Sequence, residues 1–197
     1  LLVILAAIGG AIYYLESRKP DHATDQSAVE VIPRNDAEVL TKKSKSYPLA
    51  KEITTPDGFI NTDSVSISEF VGKKVVLVDF WTYSCINCQR TTPYLNAWYE
   101  KYKDSGFEIV GIHTPEFEFE KKYENVKAAV EKFNIKFPVA LDNDYSTWHA
   151  YENRYWPHKY LIDIDGYIVY DHIGEGGYAE TEQKIQELLK ERNTVLG

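Results

Sequence analysis

The chain has 197 residues, of which 44% are hydrophobic, enough for one compact domain with a true core plus additional segments. Acidic residues outnumber basic ones by 30 to 22, which gives a formal net charge of −8. This charge, and the lack of any run rich in Lys or Arg, argues against a nucleic-acid partner, because neutralising phosphates requires a basic stripe.

The first 17 residues are predicted to be an N-terminal membrane helix. Leu1–Leu15 carries no charge, but at about 1.5 Å per residue it covers roughly 22 Å, less than the ~30 Å of a bilayer core. Since the chain contains no methionine, we expect further upstream residues to complete a transmembrane helix or signal anchor. A cleaved secretory signal is the alternative. Residues 18–47 are polar and aperiodic, and are predicted to be a tether to a folded domain, residues 48–197.

The predicted folded domain alternates strand and helix patterns. Two apolar runs flank a helical stretch, and a later pair of strands flanks Asp165-Gly166, a strong hairpin signal. The predicted strands are Val75–Phe80, Phe107–Ile112, Val139–Leu141, Lys159–Ile164 and Tyr167–Ile173, and the predicted helices are Cys88–Tyr102, Glu118–Asn134 and Tyr178–Glu191. This order indicates an α/β fold with a central mixed sheet flanked by helices.

The only two cysteines, Cys85 and Cys88, are separated by two residues. A bond between them would close a very short loop and stabilise the fold by only about 2 kcal/mol, so the pair is placed for reactivity. It follows an apolar strand and opens a helix, where backbone N–H groups and the helix dipole favour a thiolate. Cys85 is the predicted nucleophile and Cys88 the predicted resolving thiol. Zinc binding, the alternative, would need two more ligands at suitable spacing.

These residues resemble the thioredoxin superfamily. Val78–Trp81, followed by Cys85 and Cys88, is similar to the strand and dithiol of thioredoxin, and Trp156-Pro157 resembles the cis-proline loop of that family. The order and spacing agree from about residue 57 to residue 190. The resemblance implies a thioredoxin-like fold in which the Trp156-Pro157 bond is cis.

Within the superfamily, the chain is similar to the membrane-tethered TlpA/ResA/DipZ-like redoxin domains. The similarity lies in Trp81–Thr91, in Gly111–Phe117 and in the predicted helix Glu118–Asn134, which plain thioredoxin lacks. Two features depart from thioredoxin: Ser84 replaces the usual tryptophan, and Ile86-Asn87 replaces Gly-Pro. Because the residues between the cysteines tune the redox potential in relatives, the direction of electron flow stays open.

The resemblance also implies roles for four further residues. Asp79 occupies the position of the family's buried aspartate, and an acid inside an apolar strand is costly unless it is used. We therefore expect Asp79 to accept the proton of Cys88. Glu116 resembles an active-site glutamate of ResA-like proteins and is expected to transfer protons. Trp156 and Pro157 are expected to position the substrate.

The expected function is dithiol–disulfide exchange with protein substrates, without a cofactor. The resemblance implies a membrane-anchored protein whose catalytic domain lies outside the cytoplasm and reduces disulfides, with apocytochrome c as a candidate substrate. It further implies a CcdA/DsbD-like membrane protein as the source of electrons.

Two alternatives from other classes remain open. A copper-delivery protein would use Cys85 and Cys88 with a histidine such as His113 or His172. A thiol peroxidase would use Cys85 against peroxide, although the Thr-x-x-Cys motif usual in such relatives is lacking at Cys85.

Two clusters near the C-terminal half are assigned structural roles. Trp148, Tyr151 and Tyr155 recur at helical spacing and are predicted to be core residues. The segment Asp142–Asp144 has the composition of a calcium loop, but it lacks the downstream glutamate of an EF-hand and is predicted to be a turn and helix cap.

Overall fold

The computed structural model describes residues 36–197. The predicted membrane helix, residues 1–17, and the first part of the predicted tether lie outside the described residues. Within residues 36–197, no helix is both long and apolar enough to cross a bilayer.

Helices pack on a mixed sheet. The helices are α1 Asp36–Ser46, α2 Ile86–Tyr102, α3 Tyr123–Lys132, α4 Ser146–Ala150 and α5 Tyr178–Leu196; the strands are β1 Gly58–Ile60, β2 Val75–Trp81, β3 Phe107–His113, β4 Val139–Leu141, β5 His158–Ile162 and β6 Ile168–Ile173. In the described part of the chain, six strands form one sheet in the order β1-β4-β3-β2-β5-β6. Strand β3 pairs in parallel with β2 and β4, whereas the β1–β4, β2–β5 and β5–β6 pairs are antiparallel.

Strand β2 lies at the centre of the domain, and all seven of its residues are buried. Its side chains alternate between the two faces of the sheet because strand geometry has a period of two. Val76, Val78 and Phe80 pack in one core cluster, whereas Leu77 and Trp81 pack in the other, which also contains Cys88 of α2. The same alternation places Asp79, between Val78 and Phe80, on the face that carries the dithiol.

The order of the main strands and helices confirms the prediction, but one predicted helix is interrupted. The predicted helix Glu118–Asn134 is wrong in its first part: Glu118–Lys121 is a 3₁₀ turn, Lys122 is extended, and α3 begins only at Tyr123. The reason is local, because the Glu120 carboxylate accepts the backbone N–H groups of Glu116 and Phe117, which precede the turn, and so fixes the turn as a separate unit.

The predicted tether is also wrong for its last residues, because Asp36–Ser46 is helix α1. Its Lys43 ammonium lies 2.6 Å from Asp163, 2.5 Å from Asp165 and 2.8 Å from Glu191, and these four side chains are called the Lys43 cluster. The helix is mostly exposed, and Lys43 joins it to the domain. For this reason its sequence carries no hydrophobic periodicity.

The predictions near α4 hold with one exception. Trp148 and Tyr151 are buried as predicted, but Tyr155 is 51% exposed and is not a core residue. Helical spacing does not apply to it, since α4 ends at Ala150. The predicted cap is confirmed, because the buried Asp142 carboxylate accepts backbone N–H groups of Thr147 and Trp148 at 2.9 and 3.0 Å.

Candidate active site

The two cysteines lie where β2 gives way to α2, and both are free thiols. Cys85 is the N-cap of α2 and is half-buried, whereas Cys88 is only 2% exposed. The Cys85 sulfur accepts the backbone N–H of Cys88 at 3.4 Å, so it takes the place of the oxygen that usually caps a helix. The structure thus presents one sulfur to solvent and holds the other inside.

The same geometry separates the acidities of the two thiols. The thiol of Cys88 donates a hydrogen bond to the Cys85 sulfur, and the backbone N–H groups of Cys88 and Asn87 donate to it as well. Together these bonds outweigh the effect of partial burial and lower the pKa of Cys85 to about 6. Burial raises the pKa of Cys88 well above its usual range, and the hydrogen bond to Cys85 and the charge of Asp79 act in the same direction. At neutral pH, Cys85 is therefore a thiolate and Cys88 a thiol.

Asp79 lies beneath this pair and is 2% exposed. Burial raises its pKa to about 7, the nearby charge of Cys85 acts in the same direction, and the positive charge of Lys159 opposes them. Its Oδ1 atom accepts no hydrogen bond from any described residue. An orphaned buried carboxylate oxygen is a ready proton acceptor, because only protonation relieves its desolvation.

Lys159 is a buried charged residue that the sequence interpretation missed. It lies directly opposite Asp79 in the β2–β5 register and is fully buried. Burial lowers its pKa, while the charges of Asp79 and Cys88 raise it, and its ammonium donates to the Gly174 carbonyl at 2.9 Å. A lysine inside an apolar strand is the signal that would have identified it.

The cis-proline loop lies against Cys85. The Trp156-Pro157 bond is cis, as predicted. The Cys85 thiol lies 3.9 Å from the Trp156 carbonyl oxygen, and the indole N–H of Trp156 donates to the Thr114 carbonyl at 3.0 Å. The Trp156 ring packs 4.2 Å from that of Trp148. The residue before the proline is thus fixed on one side by the core and borders Cys85 on the other.

The predicted proton-transfer residue Glu116 is exposed, and its carboxylate acts on Cys85 through charge, raising the pKa of that thiol. Its assigned role stays a prediction. The buried carboxylate of this loop is instead Glu120, which accepts the Ser84 hydroxyl at 2.6 Å. The sequence interpretation included Glu120 only as part of a helix.

Comparison with known proteins agrees with this geometry. The Redoxin family model matches residues 46–189. The chain belongs to the Redoxin family. This redoxin is 47% identical over 146 residues to protein DipZ of Mycobacterium tuberculosis (strain CDC 1551 / Oshkosh), covering 70% of this chain and 21% of DipZ. The chain therefore spans about a fifth of that relative.

Shorter relatives match over most of their length. The redoxin is 33% identical over 152 residues to thiol-disulfide oxidoreductase ResA of Bacillus thuringiensis subsp. konkukian, covering 75% of this chain and 80% of ResA. The crystal structure of the thioredoxin domain of a thiol-disulfide oxidoreductase from Bacteroides vulgatus superimposes with a TM-score of 0.58 at 32% identity, covering 70% of this chain and 96% of that one. The solution structure of a thioredoxin-like protein in the oxidised form superimposes with a TM-score of 0.68 at 27% identity, covering 74% of this chain and 97% of that one. The redoxin is thus a TlpA/ResA/DipZ-like thiol-disulfide oxidoreductase with a thioredoxin-like fold.

His113, one of the histidines weighed as a copper ligand, is fully buried in this redoxin. Burial lowers its pKa to about 4, so its ring is neutral at physiological pH. The ring stacks on Tyr83 with 5.7 Å between centroids, and Nε2 lies 3.4 Å from the Thr82 hydroxyl. These contacts are those of a packed core histidine.

The dithiol does not gather a third metal ligand in the described part of the redoxin. Within residues 36–197, the one group of three His, Cys, Asp or Glu side chains that could share an ion consists of the carboxylates of the Lys43 cluster. The Lys43 ammonium already lies among those carboxylates. His172, the other candidate, is directed elsewhere, with Nε2 3.4 Å from the Glu175 carbonyl oxygen.

Proposed function

We propose that this redoxin reduces disulfides in protein substrates by exchange at its Cys85–Cys88 dithiol. The observation that carries the proposal is the half-buried Cys85 sulfur at the start of α2, with its pKa lowered to about 6 beside a buried thiol. A thiolate that is present at neutral pH and reaches the surface is the reactive form in thiol–disulfide exchange.

The exchange proceeds in two steps. The Cys85 thiolate attacks one sulfur of the substrate disulfide, which forms a mixed disulfide and releases the other substrate sulfur as a thiolate. Asp79 then accepts the proton of Cys88, and the resulting thiolate attacks the Cys85 sulfur. The products are the Cys85–Cys88 disulfide and a fully reduced substrate, so two electrons have passed from the protein to the substrate.

Other residues act around this centre. The cis-proline loop, Trp156-Pro157, borders Cys85 and would hold an extended substrate segment beside the thiolate. Glu116, on the exposed loop after β3, would relay protons between Cys85 and solvent. Both roles rest on the resemblance to thioredoxin-like proteins and on the position of these residues.

The setting of the reaction is proposed from the relatives. The resemblance to membrane-tethered TlpA/ResA/DipZ-like redoxins and the uncharged run Leu1–Leu15 support a membrane-anchored reductant whose catalytic domain lies outside the cytoplasm. Apocytochrome c is the candidate substrate, and a CcdA/DsbD-like membrane protein would return electrons to the Cys85–Cys88 disulfide.

The reduction potential of the Cys85–Cys88 pair tests the direction of electron flow. Purified protein is equilibrated with redox buffers of known potential, and the dithiol fraction is measured by alkylation and mass analysis. A value near about −270 mV, that of thioredoxin, supports a reductant, and a value near about −120 mV, that of DsbA, would reverse the proposed direction.

Single-cysteine variants test the exchange itself. Cys85→Ser should abolish disulfide reduction, whereas Cys88→Ser should accumulate the mixed disulfide with substrate. Full reductase activity in Cys85→Ser would overturn the proposal. The same variants, assayed for Cu(I) binding and for peroxide consumption, distinguish exchange from metal delivery and from peroxidase chemistry.

A further inference from the structure

A buried carboxylate joins the loop after β3 to the residue that precedes the nucleophile. Glu120 is fully buried. Its Oε1 atom accepts the Ser84 hydroxyl at 2.6 Å and the Ser84 backbone N–H at 3.3 Å. Its Oε2 atom accepts the backbone N–H groups of Glu116 at 2.6 Å and Phe117 at 2.9 Å. One side chain therefore ties two loops together through four hydrogen bonds.

These bonds keep Glu120 ionised. Burial opposes the charged form, but hydrogen bonds from the Ser84 and Thr82 hydroxyls and from two backbone N–H groups outweigh it and lower the pKa of Glu120. Hydrogen bonds to an ionised acceptor are short and about twice as strong as neutral ones. The hydrogen bonds between Glu120 and the two loops are therefore strong.

A second tie holds the same segment from the opposite side. The Gln89 amide in α2 donates to the Tyr83 carbonyl oxygen at 2.9 Å. Tyr83 and Ser84 are thus fixed between the helix that carries the dithiol and the loop that carries Glu120. The next residue is Cys85, whose sulfur must stay within reach of the Cys88 backbone N–H.

We propose that Glu120 is a positioning residue for the nucleophile, acting through Ser84 to hold Cys85 in its helix-capping place. The inference rests on the proposed function only in taking Cys85 as the nucleophile. It also gives a reason for serine at position 84, where thioredoxin-like proteins usually have tryptophan: the tie needs a small side chain with a hydroxyl.

Positioning and simple electrostatics predict opposite outcomes for the substitution Glu120→Gln. Removing a negative charge near a thiol favours the thiolate and would lower the pKa of Cys85. Loosening Ser84 weakens the contact between the Cys85 sulfur and the Cys88 backbone N–H, and this change would raise the pKa of Cys85. A glutamine amide would also direct its NH₂ group either at the Ser84 backbone N–H or at the N–H groups of Glu116 and Phe117, so the substitution breaks one or two of the four hydrogen bonds. The two other side chains that act on the pKa of Cys85 are those of Cys88 and Glu116, and neither is substituted in this variant.

The pH profile of Cys85 alkylation by iodoacetamide tests this inference without any protein substrate. The reduced full chain is labelled from about pH 4 to pH 9, and the midpoint of the rate profile gives the pKa of Cys85. We expect Glu120→Gln and Ser84→Ala to reduce the rate below the midpoint by about 3- to 10-fold, a tenfold loss being one pKa unit. The limiting rate at high pH should not change, and Ser84→Thr, which keeps the hydroxyl, should behave like the wild type.

Glu52→Gln is the matched control. Glu52 is likewise a carboxylate that accepts backbone N–H groups, from Ile53, Ile67 and Ser68 at 2.7 to 3.1 Å, but it does not touch the Ser84 segment. Its profile should match that of the wild type. Ser84 is exposed, so Ser84→Ala gives a folded test even if Glu120→Gln does not fold.

The possible results separate the two proposals. A wild-type midpoint at the ordinary value for a thiol would contradict the assignment of Cys85 as an activated nucleophile. A low wild-type midpoint that stays unchanged, or falls, in both Glu120→Gln and Ser84→Ala would overturn the positioning role and leave the proposed function intact.

Discussion

Replacing Asp79 with asparagine should make the fold less sensitive to pH. Burial raises the pKa of Asp79 from 3.8 to about 7. A raised native pKa contributes stability that is fully present below the unfolded value and is lost as pH rises through the native value. At 1.36 kcal/mol per pKa unit, the contribution of Asp79 to the stability of the wild type should fall by about 4 kcal/mol between about pH 4 and pH 8, and Asp79→Asn should lack this contribution.

The assay is denaturant unfolding of both reduced proteins across this pH range. The diagnostic quantity is the pH-dependent part of the difference between their free energies of unfolding. His113 and His158 have lowered pKa values, which make stability rise with pH, but this contribution is common to both proteins and cancels. The attraction between Asp79 and Lys159 is one of the causes that set the pKa of Asp79, so it is already contained in this difference. Asp63→Asn, at an exposed aspartate, is the control and should follow the wild type.

The same variant should slow the resolving step of exchange. General-base assistance is worth about 10²- to 10⁴-fold, so we expect a loss of at least about 100-fold in release of reduced substrate from the mixed disulfide. Burial raises the pKa of Cys88 far above neutral, so the deficit should persist in mildly alkaline solution. Equal pH-dependence of stability in the two proteins, together with equal resolution rates, would refute the reasoning.

Two further substitutions test the thiol and the docking of α1. Cys88→Ala should raise the midpoint of Cys85 alkylation above about 6, because the Cys88 thiol donates the hydrogen bond that most lowers the pKa of Cys85; an unchanged midpoint in the pH–rate profile would contradict this. Lys43→Met should reduce the free energy of unfolding by about 3 kcal/mol, because it leaves the buried Asp163 carboxylate without its counter-charge at 2.6 Å. Denaturant unfolding measures this loss, and the exposed Lys42→Met on the same helix should cost little.

The sequence predicted the elements whose patterns are strong. The buried run Val75–Phe80 differs from β2 by one residue, and the predicted hairpin and cis-proline loop are present. It did not predict α1, because Asp36–Ser46 is mostly exposed and the charge of Lys43 joins it to the domain. Periodicity detects only elements that bury hydrophobic stripes.

The site was predictable to the extent that its chemistry is local in sequence. Cys85 and Cys88 could be identified from their spacing, and Asp79 from the resemblance to the thioredoxin superfamily together with its place in an apolar strand. Lys159 and Glu120 could not be assigned to the site, because each acts on a partner far along the chain. The β2–β5 register brings Lys159 opposite Asp79, and the fold of the loop after β3 brings Glu120 to Ser84. A charged residue inside an apolar strand marks Lys159, whereas Glu120 lies among other charged residues, and in both cases only the fold supplies the partner.

In the proposed exchange, the three titrating groups of the centre act in an order that their pKa values set. Cys85, with a pKa of about 6, is the first to ionise, so the attacking thiolate exists before substrate arrives. Asp79, at about 7, is close to the solution pH, where a general base combines availability with driving force. Cys88 stays protonated until a base acts on it. The positive charge of Lys159 opposes the effect of burial on the pKa of Asp79. Without it, that pKa would rise further and Asp79 would stay protonated at neutral pH. The buried lysine is thus part of the same proton balance as the dithiol, although it lies on another strand.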